Sequence, residues 1–122
     1  MSILMKRIKA FAYAFNGLKE ATKKDVPLKI HFIATGIVMA MAWYFKVNRV
    51  EWMFLFLACT LVIGSELVNT AIERMCDVFH PEKSDDIKFV KDVSAAAVLI
   101  SLIFALLVFV NTFFERLHLL CC

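Results

Sequence analysis

Trp52-Met53-Phe54-Leu55-Phe56-Leu57-Ala58-Cys59-Thr60-Leu61-Val62-Ile63-Gly64-Ser65-Glu66-Leu67-Val68-Asn69-Thr70-Ala71-Ile72 is the stretch that decides the fold. No charged residue interrupts it before Glu66, and it matches the roughly 20 residues a helix needs to cross a hydrocarbon layer. Similar runs flank it, from about Leu28 to Val47 and from about Val93 to Phe114. Trp43, Tyr44 and Trp52 cluster around the short first loop, where interfacial aromatics belong. The 122 residues are 61% hydrophobic with a mean hydropathy of +0.75, well above ordinary soluble domains. What lies outside the runs is too little for a separate soluble domain. The expected fold is therefore all-α and integral to a membrane, with residues 1–122 forming one domain.

Working outward, residues about 4–24 carry Leu4, Ile8, Phe11, Phe15 and Leu18 on one helical stripe, with Lys6, Lys9, Lys19 and Lys23 beside it. That pattern predicts an amphipathic helix on the membrane surface, a reading compatible with its packing against the spans. Nothing after Met1 resembles a signal peptide. Pro27 suits the first turn of the first span. The net charge is only +3, yet seven of the fourteen basic residues precede or open that span. The second loop region adds Arg74, Lys83, Lys88 and Lys91, against Lys46 and Arg49 in the first loop and Arg116 in the tail. The positive-inside rule then puts the N-terminus and second loop in the cytoplasm, in a multi-pass protein of the inner (cytoplasmic) membrane. No DNA- or RNA-binding motif accompanies the basic residues, so nucleic acid is not an expected partner. Cys59, Cys76, Cys121 and Cys122 show neither a CxxC pair nor zinc spacing and read as free thiols.

The chemistry concentrates where the second span ends. At about 100° per residue, Glu66, Asn69, Glu73 and Asp77 share a stripe about 80° wide on one helix face. An ionisable group at membrane depth costs roughly 2.5–3.5 kcal/mol, so such a line must face protein, water or a ligand. Lys91-Asp92 opens the third span ahead of the small residues Ser94-Ala95-Ala96-Ala97, and Asp25 precedes the first. Taken alone, Lys91 reads as a snorkelling anchor, Asp92 and Asp25 as helix-start acids, and His31 as interfacial packing. By the charge count all these groups lie at the cytoplasmic face. Carboxylate oxygens without a His/Cys set favour a hard ion such as Mg²⁺, and acids, a lysine and Mg²⁺ beside a membrane suit phosphoryl transfer. Gly17, Gly36 and Gly64 are the only glycines, which rules out a P-loop.

Glu66-x-x-Asn69-Thr70-Ala71-Ile72-Glu73-x-x-x-Asp77, followed by Lys91-Asp92-x-x-Ala95-Ala96-Ala97-Val98, resembles the prokaryotic diacylglycerol kinase family, which includes undecaprenol kinases. The resemblance covers essentially the whole chain, and Gly17-Leu18 also fits. It implies a surface helix and three transmembrane helices per subunit, a homotrimer with shared active sites, and transfer from MgATP to a lipid alcohol. By matching position, it makes Glu66 the general base and Asn69 an orienting residue. Glu73 with Asp25 would hold Mg²⁺, Lys91 and Asp92 the nucleotide phosphates, and Tyr13 the nucleotide side, with Asp77 supporting. Ile30-His31, Glu51-Trp52 and Asn69-Thr70-Ala71-Ile72-Glu73 look more like the undecaprenol branch, with diacylglycerol as the alternative acceptor.

The chain departs from the family in three places. Asp25 stands where the family usually has Glu, in a segment whose Pro27 and Lys29 replace Asn and Arg. Lys6 replaces a frequent Arg among the nucleotide-binding residues, losing bidentate phosphate geometry. The tail from Glu115 to Cys122 has no family counterpart. Two other classes compete with the kinase: a small ion-coupled transporter or channel, and a non-catalytic membrane subunit. A transporter needs midplane polar groups on several helices, whereas span one offers only Thr35 between Phe32 and Tyr44, and span three only hydroxyls and Asn111.

Overall fold

A computed structural model describes residues 2–121 and contains four helices. They are α1 (Ile3–Lys24), α2 (Val26–Tyr44), α3 (Arg49–Phe79) and α4 (Asp85–Cys121). Helices α2, α3 and α4 are each long and apolar enough to cross a membrane. Cross-helix contacts set them antiparallel in sequence order. At one end Thr70 meets Asp25 and Asp77 meets Lys91, while at the other Glu51 meets Arg116. Cys122 and Met1 lie outside the described residues.

Local chemistry explains each boundary. Ser2 caps α1 by accepting from the Met5 amide at 3.2 Å. Asp25 is the single extended residue between α1 and α2, and Pro27 then occupies the first turn, where its missing N–H costs nothing. Helix α2 stops at a left-handed residue, Lys46, with φ 53°. The Val47 amide reaches back to the Ala42 carbonyl and the Lys46 amide to that of Trp43, the two bonds of a Schellman motif. Asn48 and Glu51 then open α3 with a reciprocal capping box at 2.8 and 3.1 Å. Pro81 lies in the polar loop after α3, and Ser84 starts α4 by accepting from the Ile87 amide, with Asp85 and Asp86 favourably placed at the positive helix end.

Helices α3 and α4 outrun the spans expected at 52–72 and 93–114, and α2 starts and ends slightly before its expected 28–47. Hydropathy marks only the part of a helix that needs to avoid water, whereas backbone hydrogen bonding continues through the charged ends. Helix α4 has 37 residues, about 55 Å at 1.5 Å per residue, against a hydrocarbon layer of about 30 Å. It also carries the tail from Glu115 onward as continuous helix through Cys121. Cys59, Cys76 and Cys121 are free thiols, as expected.

Helices α3 and α4 pack most extensively, and α2 lies on α3. The apolar core occupies the Glu51–Arg116 end, where Ala42, Leu55, Ala58, Val108 and Phe113 are buried together and Phe45 tilts against Phe113. There the Arg116 guanidinium grips both Glu51 carboxylate oxygens, at 2.7 and 2.9 Å. Helix α1 has no buried residue and leaves Leu4, Ile8, Phe11 and Phe15 exposed.

Candidate functional site

The opposite end of the bundle is held by polar groups. Glu66, on α3, is only 6% exposed. Its Oε2 lies 4.0 Å from His31 Nε2 on α2. Thr70, one turn further along α3, donates its hydroxyl to Asp25 Oδ2 at 2.5 Å. Glu66 lies one helical turn before Thr70 on the same helix, so the Asp25 contact comes down beside it. Two carboxyl groups from different elements therefore sit near one another, one of them bonded to the Thr70 hydroxyl. Their joint negative potential is strongest in this low-dielectric setting, where a cation offsets it best.

Asn69 continues the line. Its amide nitrogen donates to Glu73 Oε1 at 3.2 Å, and its carbonyl oxygen accepts from Ser94 Oγ of α4 at 2.7 Å. Both Asn69 and Ser94 are buried, so the amide is fixed from two sides and also ties α3 to α4. Glu73 is exposed beyond it. At the mouth, Lys91 Nζ donates to Asp77 Oδ1 and Lys88 Nζ to Asp92 Oδ2, both at 2.6 Å. Asp77, Lys88, Lys91 and Asp92 line an open cavity of about 470 Å³ bordered by the loop through Pro81.

The aligned acids thus gather with Asp25 and the Lys91-Asp92 pair at one end of the bundle. Glu73 meets Asn69 rather than Asp25, and Asp77 is the counterion of Lys91. Lys6 and Tyr13 are exposed on α1, and their side chains make no hydrogen bond or ion pair among the described residues. His31, read as interfacial packing, faces Glu66. The sequence marks Thr70 only as part of the family motif and Ser94 only as a small residue, although Thr70 borders the acidic stripe and Ser94 follows Lys91 by one turn. No group of three or more His, Cys, Asp or Glu gathers for a metal among the described residues. A Mg²⁺ ion would ask less of the protein, since it keeps several waters and takes one or two carboxylates plus substrate phosphates.

The family model for prokaryotic diacylglycerol kinase matches residues 12–113, spanning all of these groups except Lys6. The chain belongs to that family. By family it is a lipid kinase and a membrane protein. It is 31% identical over 105 residues to the undecaprenol kinase of Bacillus subtilis, covering 83% of this chain and 85% of that protein. It is 34% identical over 96 residues to a diacylglycerol kinase of Helicobacter pylori, covering 79% and 75%. The diacylglycerol kinase of Escherichia coli K12 is 29% identical over 100 residues, 82% of each chain. The match stops before Arg116, the residue that clamps Glu51.

Proposed function

We propose that this lipid kinase transfers the γ-phosphoryl group of ATP to undecaprenol at the cytoplasmic face of the inner membrane. The observation that carries the reading is the Thr70–Asp25 bond one helical turn from the buried Glu66, beside an Asn69 amide held from both sides. The lipid hydroxyl enters laterally and gives its proton to Glu66, while in-line attack transfers the phosphoryl group directly, without a phosphoenzyme. Asn69 orients the reacting groups. Lys91 exchanges Asp77 for the nucleotide phosphates, with Asp92, Lys6 and Tyr13 on the nucleotide side. Asp25 and Glu73 would hold Mg²⁺ through the nucleotide, and the ion would neutralise charge developing on the phosphates.

Residues 1–122 act as a single domain. Helix α1 lies on the membrane surface, its exposed Leu4, Ile8, Phe11 and Phe15 entering the interface and its lysines meeting anionic headgroups. The N-terminus is cytoplasmic. The acidic stripe needs shielding on both sides, which a closed homotrimer supplies. Undecaprenol is favoured by the Ile30-His31 and Glu51-Trp52 pairs and by the Bacillus relative. Diacylglycerol is the second reading, supported by the names of the Helicobacter and Escherichia relatives. An ion-coupled transporter gains no support, because Thr35, Ser65, Ser101 and Asn111 each bond to a carbonyl of their own helix. The deciding experiment offers purified protein labelled ATP with undecaprenol or diacylglycerol in mixed micelles. Label in undecaprenyl phosphate supports the reading. Preference for diacylglycerol corrects the acceptor, and ATP turnover with neither sinks the kinase reading.

A further inference from the structure

Asp25 and Thr70 each forgo the local hydrogen bond their position favours. An Asp before the first turn of a helix ordinarily accepts from a backbone amide of that turn. Asp25 stands at that position for α2, yet its side chain makes no cap bond. A Thr inside a helix ordinarily donates to the carbonyl four residues back, as Thr22 does to Leu18 and Thr35 does to His31. Thr70 instead turns its proton outward to Asp25 Oδ2, 45 residues away in sequence. Both groups are half-buried, so water competes only in part for the bond. Among the described residues the contact is the one hydrogen bond between the junction of α1 and α2 and the body of α3, and it sets Asp25 one helical turn from Glu66. Asp25 is also a short acid on an extended residue, so where its carboxylate points depends on what holds it.

We propose that Thr70 is a positioning residue for the metal–nucleotide complex, acting through Asp25: its hydroxyl aims the Asp25 carboxylate towards the bound cation. The inference rests on the reading of Asp25 as a metal ligand. Thr70 touches neither the metal nor the reacting atoms. Its loss weakens cation binding rather than the proton transfer at Glu66.

The test measures Mn²⁺ binding by electron paramagnetic resonance, on the purified full-length protein in detergent with a non-hydrolysable ATP analogue. Thr70→Val is expected to raise the half-saturating Mn²⁺ concentration about tenfold or more, the factor for losing one hydrogen bond to a charged group. Thr70→Ser restores the hydroxyl and should restore binding. In an Asp25→Asn background, adding Thr70→Val should change little, because residues acting through one another are not additive. If Thr70→Val fails to assemble, Thr70→Ala carries the same comparison. Wild-type binding by the Val or Ala variant, equal impairment by Ser and Val, or full additivity with Asp25→Asn would each overturn the proposal. So would a wild-type protein that binds no Mn²⁺ with the nucleotide. Failure of the kinase reading appears separately, as intact Mn²⁺ binding without label reaching any lipid alcohol.

Discussion

Replacing Glu66 by Gln tests the proposed proton acceptor with the least structural disturbance. Gln has the same shape and fits the space 4.0 Å from His31. It also removes one of two adjacent carboxyl groups, so the fold should lose no stability from repulsion with Asp25. What it cannot do is take a proton from an attacking hydroxyl. A positioned general base contributes about 10²–10⁴-fold, so the variant should lose at least about 10² in kcat, or about 2.7 kcal/mol of barrier. The KM for ATP should change far less, because the nucleotide residues Lys91 and Asp92 are untouched. Initial rates in mixed micelles with labelled ATP and saturating lipid alcohol give both constants, and size-exclusion chromatography with a thermal melt confirms assembly. A well-assembled Glu66→Gln protein with turnover close to wild type would refute the assignment of the base.

Arg116→Met should lower stability by about 1–2 kcal/mol, since a charge-assisted, two-pronged contact with Glu51 is lost from a partly exposed place. Activity per folded molecule should be unchanged, because the clamp is at the end remote from Glu66; thermal denaturation in detergent and specific activity test the two halves. Ser94→Ala should cost about 1–3 kcal/mol, because the buried Asn69 carbonyl oxygen loses its donor. An unchanged melting temperature would show that water or another group replaces it. Lys46→Gly should stabilise the protein by about 1 kcal/mol, since glycine adopts φ 53° without the steric penalty of a Cβ. A melt that does not rise would mean the Lys46 side chain offsets that penalty.

The helical order was legible because long apolar runs and clustered lysines are governed by composition, which survives without three-dimensional information. The acidic face was legible for a similar reason: Glu66, Asn69, Glu73 and Asp77 obey the period of a single helix. Their partners obey no such period. Thr70 meets Asp25 across 45 residues and Ser94 meets Asn69 across 25, so only the packing of α2 and α4 on α3 determines those pairs. His31 was hidden because an isolated histidine near a span end has many possible environments. Arg116 was counted as a topological charge, yet the structure makes it a fastener, because α4 continues as helix past Phe113 and returns the guanidinium to Glu51.

The uninterrupted run of α3 from Arg49 to Phe79 has a consequence for depth. Along its axis, Glu66 lies about 22 Å from Glu51 and Asp77 about 39 Å, at 1.5 Å per residue. If the Glu51 clamp marks the outer edge of an oily slab about 30 Å thick, Glu66 remains inside the slab while Asp77 stands clear of it. One continuous helix thus spans two phases: an alcohol dissolved in oil can meet its acid from the side of the slab, and a nucleotide dissolved in water can meet the charges beyond it.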